Sequence, residues 1–107
     1  MKGDHIGEFE ELTLLAVAGL DHEAYGVAIK ETLDRETSRD VSIGAVYAAL
    51  DRLEGKGLVH SREVSSTAAR NGRLRRSFAI TPRGQRTLHE IRAVRDRLGR
   101  AAFARAR

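Results

Sequence analysis

The chain has no cysteine, no tryptophan and one proline in 107 residues. Without cysteine there is neither a disulfide scaffold nor a thiolate zinc site, and the composition fits a reducing compartment. A cytoplasmic protein is the expectation. Aromatics are scarce, three Phe and two Tyr, so the core of so short a chain must be aliphatic. The longest apolar run, Leu12 to Leu20, is interrupted by Thr13 and Gly19 and falls well short of the roughly 20 residues of a spanning helix. Glu8, Glu10 and Glu11 precede it, the wrong sign for a secretory leader. Signatures of chemistry are missing too. The histidines His5, His22, His60 and His89 show no pair at metal-ligand spacing, and no phosphate loop or dinucleotide fingerprint occurs. Ser42 has no evident His or acid partner. Asp4, His5 and Glu8 are the one set a metal sensor would use, and a frayed N-terminus explains them as well. The expectation is therefore no enzyme, no cofactor, no metal and no membrane.

What is present is a chain that is 41% hydrophobic and 32% charged, enough for a single small domain. Charge is segregated. Residues 1–69 hold 7 Lys and Arg against 13 Asp and Glu, whereas residues 70–107 hold 12 Arg against Glu90 and Asp96 alone. Every basic residue of the second block is Arg, whose planar fork of donors suits phosphate and base edges. Such a block marks either a nucleic-acid-binding face or a solvated helical tail.

Apolar spacing divides the chain into elements. Glu8 to Leu20 reads as a helix with Phe9, Leu12, Leu15 and Ala16 toward a core and acids in its first turn, where the helix dipole favours them. Asp21 offers an N-cap for a second helix, His22 to Thr37, with Val27, Ala28, Ile29 and Leu33 on its apolar side. Gly26 inside that helix costs about 1 kcal/mol relative to Ala, which suggests close approach by protein or ligand. Ser42 caps a third helix, Val41 and Val46 can form a hydrophobic staple, and Ile43, Val46, Leu50 and Leu53 mark the buried stripe. The opposite face, with Gly44, Ala45, Tyr47 and Ala48, is smooth at its N-terminal end. Gly57 stands where a left-handed cap is expected. Leu58 to Val64 and Arg73 to Ile80 read as two strands joined by a turn-rich tip ending in Asn71-Gly72. Thr81-Pro82 opens a last helix with Leu88, Ile91, Val94, Leu98 and Ala101 along one stripe.

The expected fold is mainly α with a small β-hairpin, in the outline of a winged helix-turn-helix followed by a C-terminal helix. Recognition helices enter the major groove N-terminus first. In the third helix, Gly44, Ala45 and Ala48 permit close approach to base edges or thymine methyls. Tyr47 can reach a phosphate or a base, and Ser42 with the first backbone amides can hold a phosphate. Arg70, Asn71, Arg73 and Arg75 would form a wing on the backbone or in the minor groove. Each residue also has a structural reading: Tyr47 as a half-buried core aromatic, Ser42 as a cap, Gly44 as a packing gap under the second helix. The competing function is a protein-interaction or RNA-binding module on the same fold.

The stretches Gly7 to Leu12, Ala24 to Ile29, Val41 to Tyr47, Leu50 to Glu54, Lys56 to Val59, Gly72-Arg73 and Ile80 to Gly84 resemble the PadR family of bacterial winged-helix transcriptional regulators over nearly the whole chain. The resemblance implies a DNA-binding domain over residues 1–81 and a dimerisation helix over 82–107. It also implies a homodimeric repressor on an inverted-repeat operator, with helix 42–56 in the major groove and wing 62–80 beside it. Tyr25 and Gly26 would sit against the DNA backbone. The last helix would pair with the partner chain through Leu88, Ile91, Val94 and Leu98, assisted by Phe9 and Leu12 of the first. A small-molecule effector is conceivable for such regulators, although no constellation of residues selects one. Asn71 replaces a glycine usual at the start of the returning strand, and Ser77 precedes a single aromatic, Phe78. With one C-terminal helix the chain looks like the short branch of the family.

Overall fold

A computed structural model describes residues 5–65 and 74–105. The elements are α1 (Glu8–Leu20), a 3-10 turn (Asp21–Glu23), α2 (Gly26–Thr37), α3 (Ile43–Gly55), β1 (Val59–Ser65), β2 (Leu74–Ile80) and α4 (Pro82–Arg105). The strands form an antiparallel hairpin in register from Val59 opposite Ile80 to Ser65 opposite Leu74. Helices α1, α2 and α3 enclose the core with Leu58, Val59 and Phe78 of the hairpin base. Leu14, Ile29, Val46, Leu50, Leu53 and Leu58 are all fully buried. Each such side chain contributes about 1.5–3 kcal/mol relative to exposure. A surface ion pair contributes roughly 0–1 kcal/mol, so the aliphatic core holds the fold.

Several local expectations hold. The Ser42 hydroxyl accepts from the Ala45 amide at 3.0 Å, Gly57 has φ +77°, and the Thr81 hydroxyl accepts from the Gly84 amide at 3.0 Å. Others are corrected. In α1 the buried side is Glu10, Thr13, Leu14, Ala16 and Val17, while Leu15 is exposed and Phe9 and Leu12 are only partly covered. Leucine, alanine and valine nearly encircle this helix, so spacing alone does not select a face. Asp21 does not cap α2. It ends α1 with φ 53°, and after the 3-10 turn the chain straightens at Ala24 and Tyr25, where the Ala24 carbonyl accepts from the Phe78 amide and Tyr25 bridges to Ser77. Gly26 is thereby the first residue of α2, whose buried positions are Gly26, Ile29 and Leu33 while Val27 is exposed. In α3, Ala49 joins Val46, Leu50 and Leu53 in the core, and Ile43 stands 39% exposed because the first turn extends beyond the core.

The acidic first half is largely neutralised within the molecule. Glu8 pairs with Arg39, Asp34 with Lys30, and Glu11 with Arg95 of α4. Glu10 is the buried case: it accepts from Arg52 Nε at 2.6 Å and Lys56 Nζ at 2.8 Å, joining α1 to the end of α3. Burial alone would raise the pKa of its carboxyl. The hydrogen bonds and charges of Lys56 and Arg52 outweigh burial and hold it below 4.5. A lowered folded-state pKa means that this contribution is complete above the unfolded value and disappears as pH falls through the folded one. We expect Glu10→Gln to cost about 1–3 kcal/mol at neutral pH. The variant's loss of stability between pH 5 and pH 3 should also be shallower than that of the parent, measured by chemical denaturation.

Helix α4 leaves the domain. Only Gly84 and Thr87 are buried, Leu88 and Ile91 are half-covered, and Val94, Leu98 and Phe103 stand 44%, 68% and 79% exposed. At about 1.5 Å per residue a helix of this length accounts for much of the 57 Å long axis. No helix among the described residues is long and apolar enough to cross a membrane.

Candidate nucleic-acid interface

The site is built where the start of α2, the first half of α3 and the hairpin meet. Tyr25 supplies no side-chain cap to α2, so the positive end of that helix is open to an anion. The close neighbour of Gly26 is a protein side chain: a Cβ there would run into the hydroxyl of Tyr47 and lie 2.5 Å from its Cζ. Glycine is thus the residue that lets the Tyr47 ring lie on the first turn of α2. The same ring is tilted against Phe78, centroids 6.2 Å apart. The structural reading of Tyr47 therefore holds for its ring. Its hydroxyl end lies beside the α2 N-terminus and takes part in no hydrogen bond among the described residues.

Ser42, Gly44, Ala45 and Ala48 are all exposed. A Cβ on Gly44 would meet nothing nearer than the Ser42 hydroxyl at 4.0 Å, so this glycine is not a packing gap beneath α2. Its absent side chain leaves the helix face smooth toward solvent. Arg75 lies on the other side, its guanidinium 3.8 Å above the centroid of the Tyr25 ring. A stacked guanidinium keeps its edge donors pointing outward, and no carboxylate among the described residues pairs with it. Arg70, Asn71 and Arg73 lie outside the described residues.

The structure thus brings Tyr25, Gly26, Tyr47 and Arg75 together, with the small residues of α3 exposed alongside. Sequence reasoning missed three positions. Ile43 and Val27 add exposed apolar surface to α3 and α2; the signal for Ile43 was its place at the helix start ahead of the first buried position, and no spacing marked Val27. Arg76 faces α3, opposite to Arg75, because neighbouring residues of a strand point to opposite faces. Among the described residues no group of three or more His, Cys, Asp or Glu is placed to hold a metal ion; Asp4 lies outside them.

Three helices, a two-stranded wing and a projecting terminal helix define the winged-helix class of DNA-binding regulators. The model of the transcriptional regulator PadR-like family matches residues 14–90. A PadR-like transcription factor from Bacteroides fragilis is similar at 28% identity and TM-score 0.73, over 92% of this chain and 89% of that one. A PadR-like transcriptional regulator from Bacillus cereus shares the fold at 22% identity and TM-score 0.73, over 90% and 88%. The complex structure of hsRosR-S4 is similar at 28% identity and TM-score 0.66, over 86% and 73%. No curated protein matches. The chain belongs to the PadR-like family of transcriptional regulators. It is a DNA-binding transcription regulator and not an enzyme.

Proposed function

We propose that the protein is a cytoplasmic repressor that binds an inverted-repeat operator as a homodimer. The first two turns of α3 enter the major groove, and the wing follows the backbone or minor groove. The observation that carries this reading is the convergence on one edge of a smooth, exposed α3 face, the uncapped start of α2 and a stacked Arg75 that no carboxylate among the described residues pairs with. Tyr25, Gly26 and the Tyr47 hydroxyl would hold a phosphate at the α2 N-terminus. Gly44, Ala45 and Ala48, with Ile43 beside them, would meet base edges and thymine methyls.

The homodimer is supported by α4. Its exposed Val94 and Leu98 continue the stripe that Leu88 and Ile91 begin. A groove of about 400 Å³ between α1, β2 and α4, lined by Leu15, Ile80, Leu88 and Arg92 among others, would receive a helix of the partner. Phe9 and Leu12, partly covered on α1, would support that contact.

Arg75→Ala tests the wing. It should weaken binding to every duplex and reduce the slope of log affinity against log salt by about one. Fluorescence anisotropy at several salt concentrations reads both, and an unchanged slope removes Arg75 from the interface.

A further inference from the structure

Adjacent arginines on β2 are anchored to different helices. Arg75 lies over Tyr25 at the start of α2. Arg76 turns the other way and reaches α3. Its Nη2 lies 3.3 Å from Glu54 Oε1, 3.2 Å from Ser61 Oγ and 3.6 Å from Asp51 Oδ1. Glu54, in the last turn of α3, also accepts from the Ser61 amide at 3.2 Å and from the Ser61 hydroxyl at 3.1 Å. The Arg76 guanidinium sits 5.0 Å from the centroid of Phe78, whose ring packs against Tyr47. One cluster therefore ties the recognition helix to both wing strands. A two-stranded hairpin has little stability of its own, so its angle to α3 depends on such ties.

We propose that Arg76 is the positioning residue of the DNA-reading surface, resting on the DNA-binding mode above: with Glu54 and Ser61 it sets the angle between α3 and the wing, so that both engage one duplex together. Arg76 is only about one-third exposed and turns its Nη2 donors to Glu54 and Ser61 inside the molecule, so its role is to act through the wing. It also brings the Asp51 and Glu54 carboxylates into ion pairs on the helix that approaches DNA.

Two variants separate positioning from charge. Arg76→Gln removes the tie together with one positive charge. Glu54→Ala removes the tie together with one negative charge, and on electrostatics alone it would tighten binding to a polyanion. The positioning role predicts that both weaken binding to a duplex selected by the unaltered protein, each by about tenfold. In hydroxyl-radical footprints both should lose backbone protection beside the groove while keeping protection at the recognition-helix contacts. Circular dichroism melting should shift by only a few degrees. Tighter binding by Glu54→Ala, or a footprint lost uniformly in either variant, would overturn the proposal while leaving DNA binding intact. Absence of any footprint from the unaltered protein would instead overturn the DNA-binding mode on which the proposal rests.

Discussion

Gly84→Ala is expected to lower the melting temperature by about 10 °C, although alanine is the better helix former. Intrinsic preference favours alanine by about 1 kcal/mol within a helix, so a freely exposed glycine in α4 would give the opposite sign. Gly84 is buried at the point where α4 crosses the turn between α3 and β1. A Cβ there would overlap the carbonyl oxygen of Leu58 and lie 2.7 Å from Ile80 Cγ1. The Leu58 carbonyl cannot swing aside cheaply, because it accepts the Thr81 amide at 3.0 Å. Overpacking against backbone costs about 1–3 kcal/mol or more and outweighs the propensity gain. A variant that melts higher than the parent would show that α4 stands further from this turn than the structure has it. The same displacement would redirect α4, so weaker self-association should accompany the loss of stability.

Leu98→Arg is expected to dissociate the proposed dimer. Leu98 is 68% exposed and lies outside the core of its own chain, so arginine there leaves the monomer's fold intact. In a paired helix it would bury a charge among the apolar residues of the stripe, and an unpaired buried charge is strongly unfavourable. Analytical ultracentrifugation should show the variant at the 11.8 kDa monomer mass at concentrations where the parent sediments as a dimer. Because two linked half-site contacts gain roughly 10²–10⁴ over one, affinity for the selected operator should fall at least about a hundredfold. Helical circular dichroism should stay close to that of the parent. A dimer that survives would place the interface away from the Leu98 end of α4.

What was legible in the sequence was local. The Ser42 cap, the positive φ of Gly57 and the Thr81-Pro82 helix start each depend on a few neighbouring residues, and the bounds of α1 follow from its acidic first turn and apolar run. The misreadings share one cause, contacts distant in sequence. The start of α2 moved because Ala24 and Tyr25 pair with β2 more than 50 residues later. The buried face of α1 was ambiguous because apolar residues surround the helix, and α3 and the hairpin choose among them. Of the candidate site, the small-residue face of α3 could be read from composition and spacing. The stacking of Arg75 on Tyr25 and the tie from Arg76 to Glu54 could not, since each joins strand to helix across a fold that no spacing rule encodes. Gly26 shows the partial case: its cost pointed to a close neighbour, and that neighbour is the Tyr47 ring.

The central claim is sequence-specific binding of duplex DNA by a symmetric dimer. The direct measurement is selection of bound fragments from a random duplex library by the purified protein at physiological salt. The account predicts enrichment of an inverted repeat whose half-sites lie about one helical turn, 34–36 Å, apart. Recovery of unenriched sequence, with binding only at low salt, would leave a polyanion binder driven by its arginines and would contradict the account.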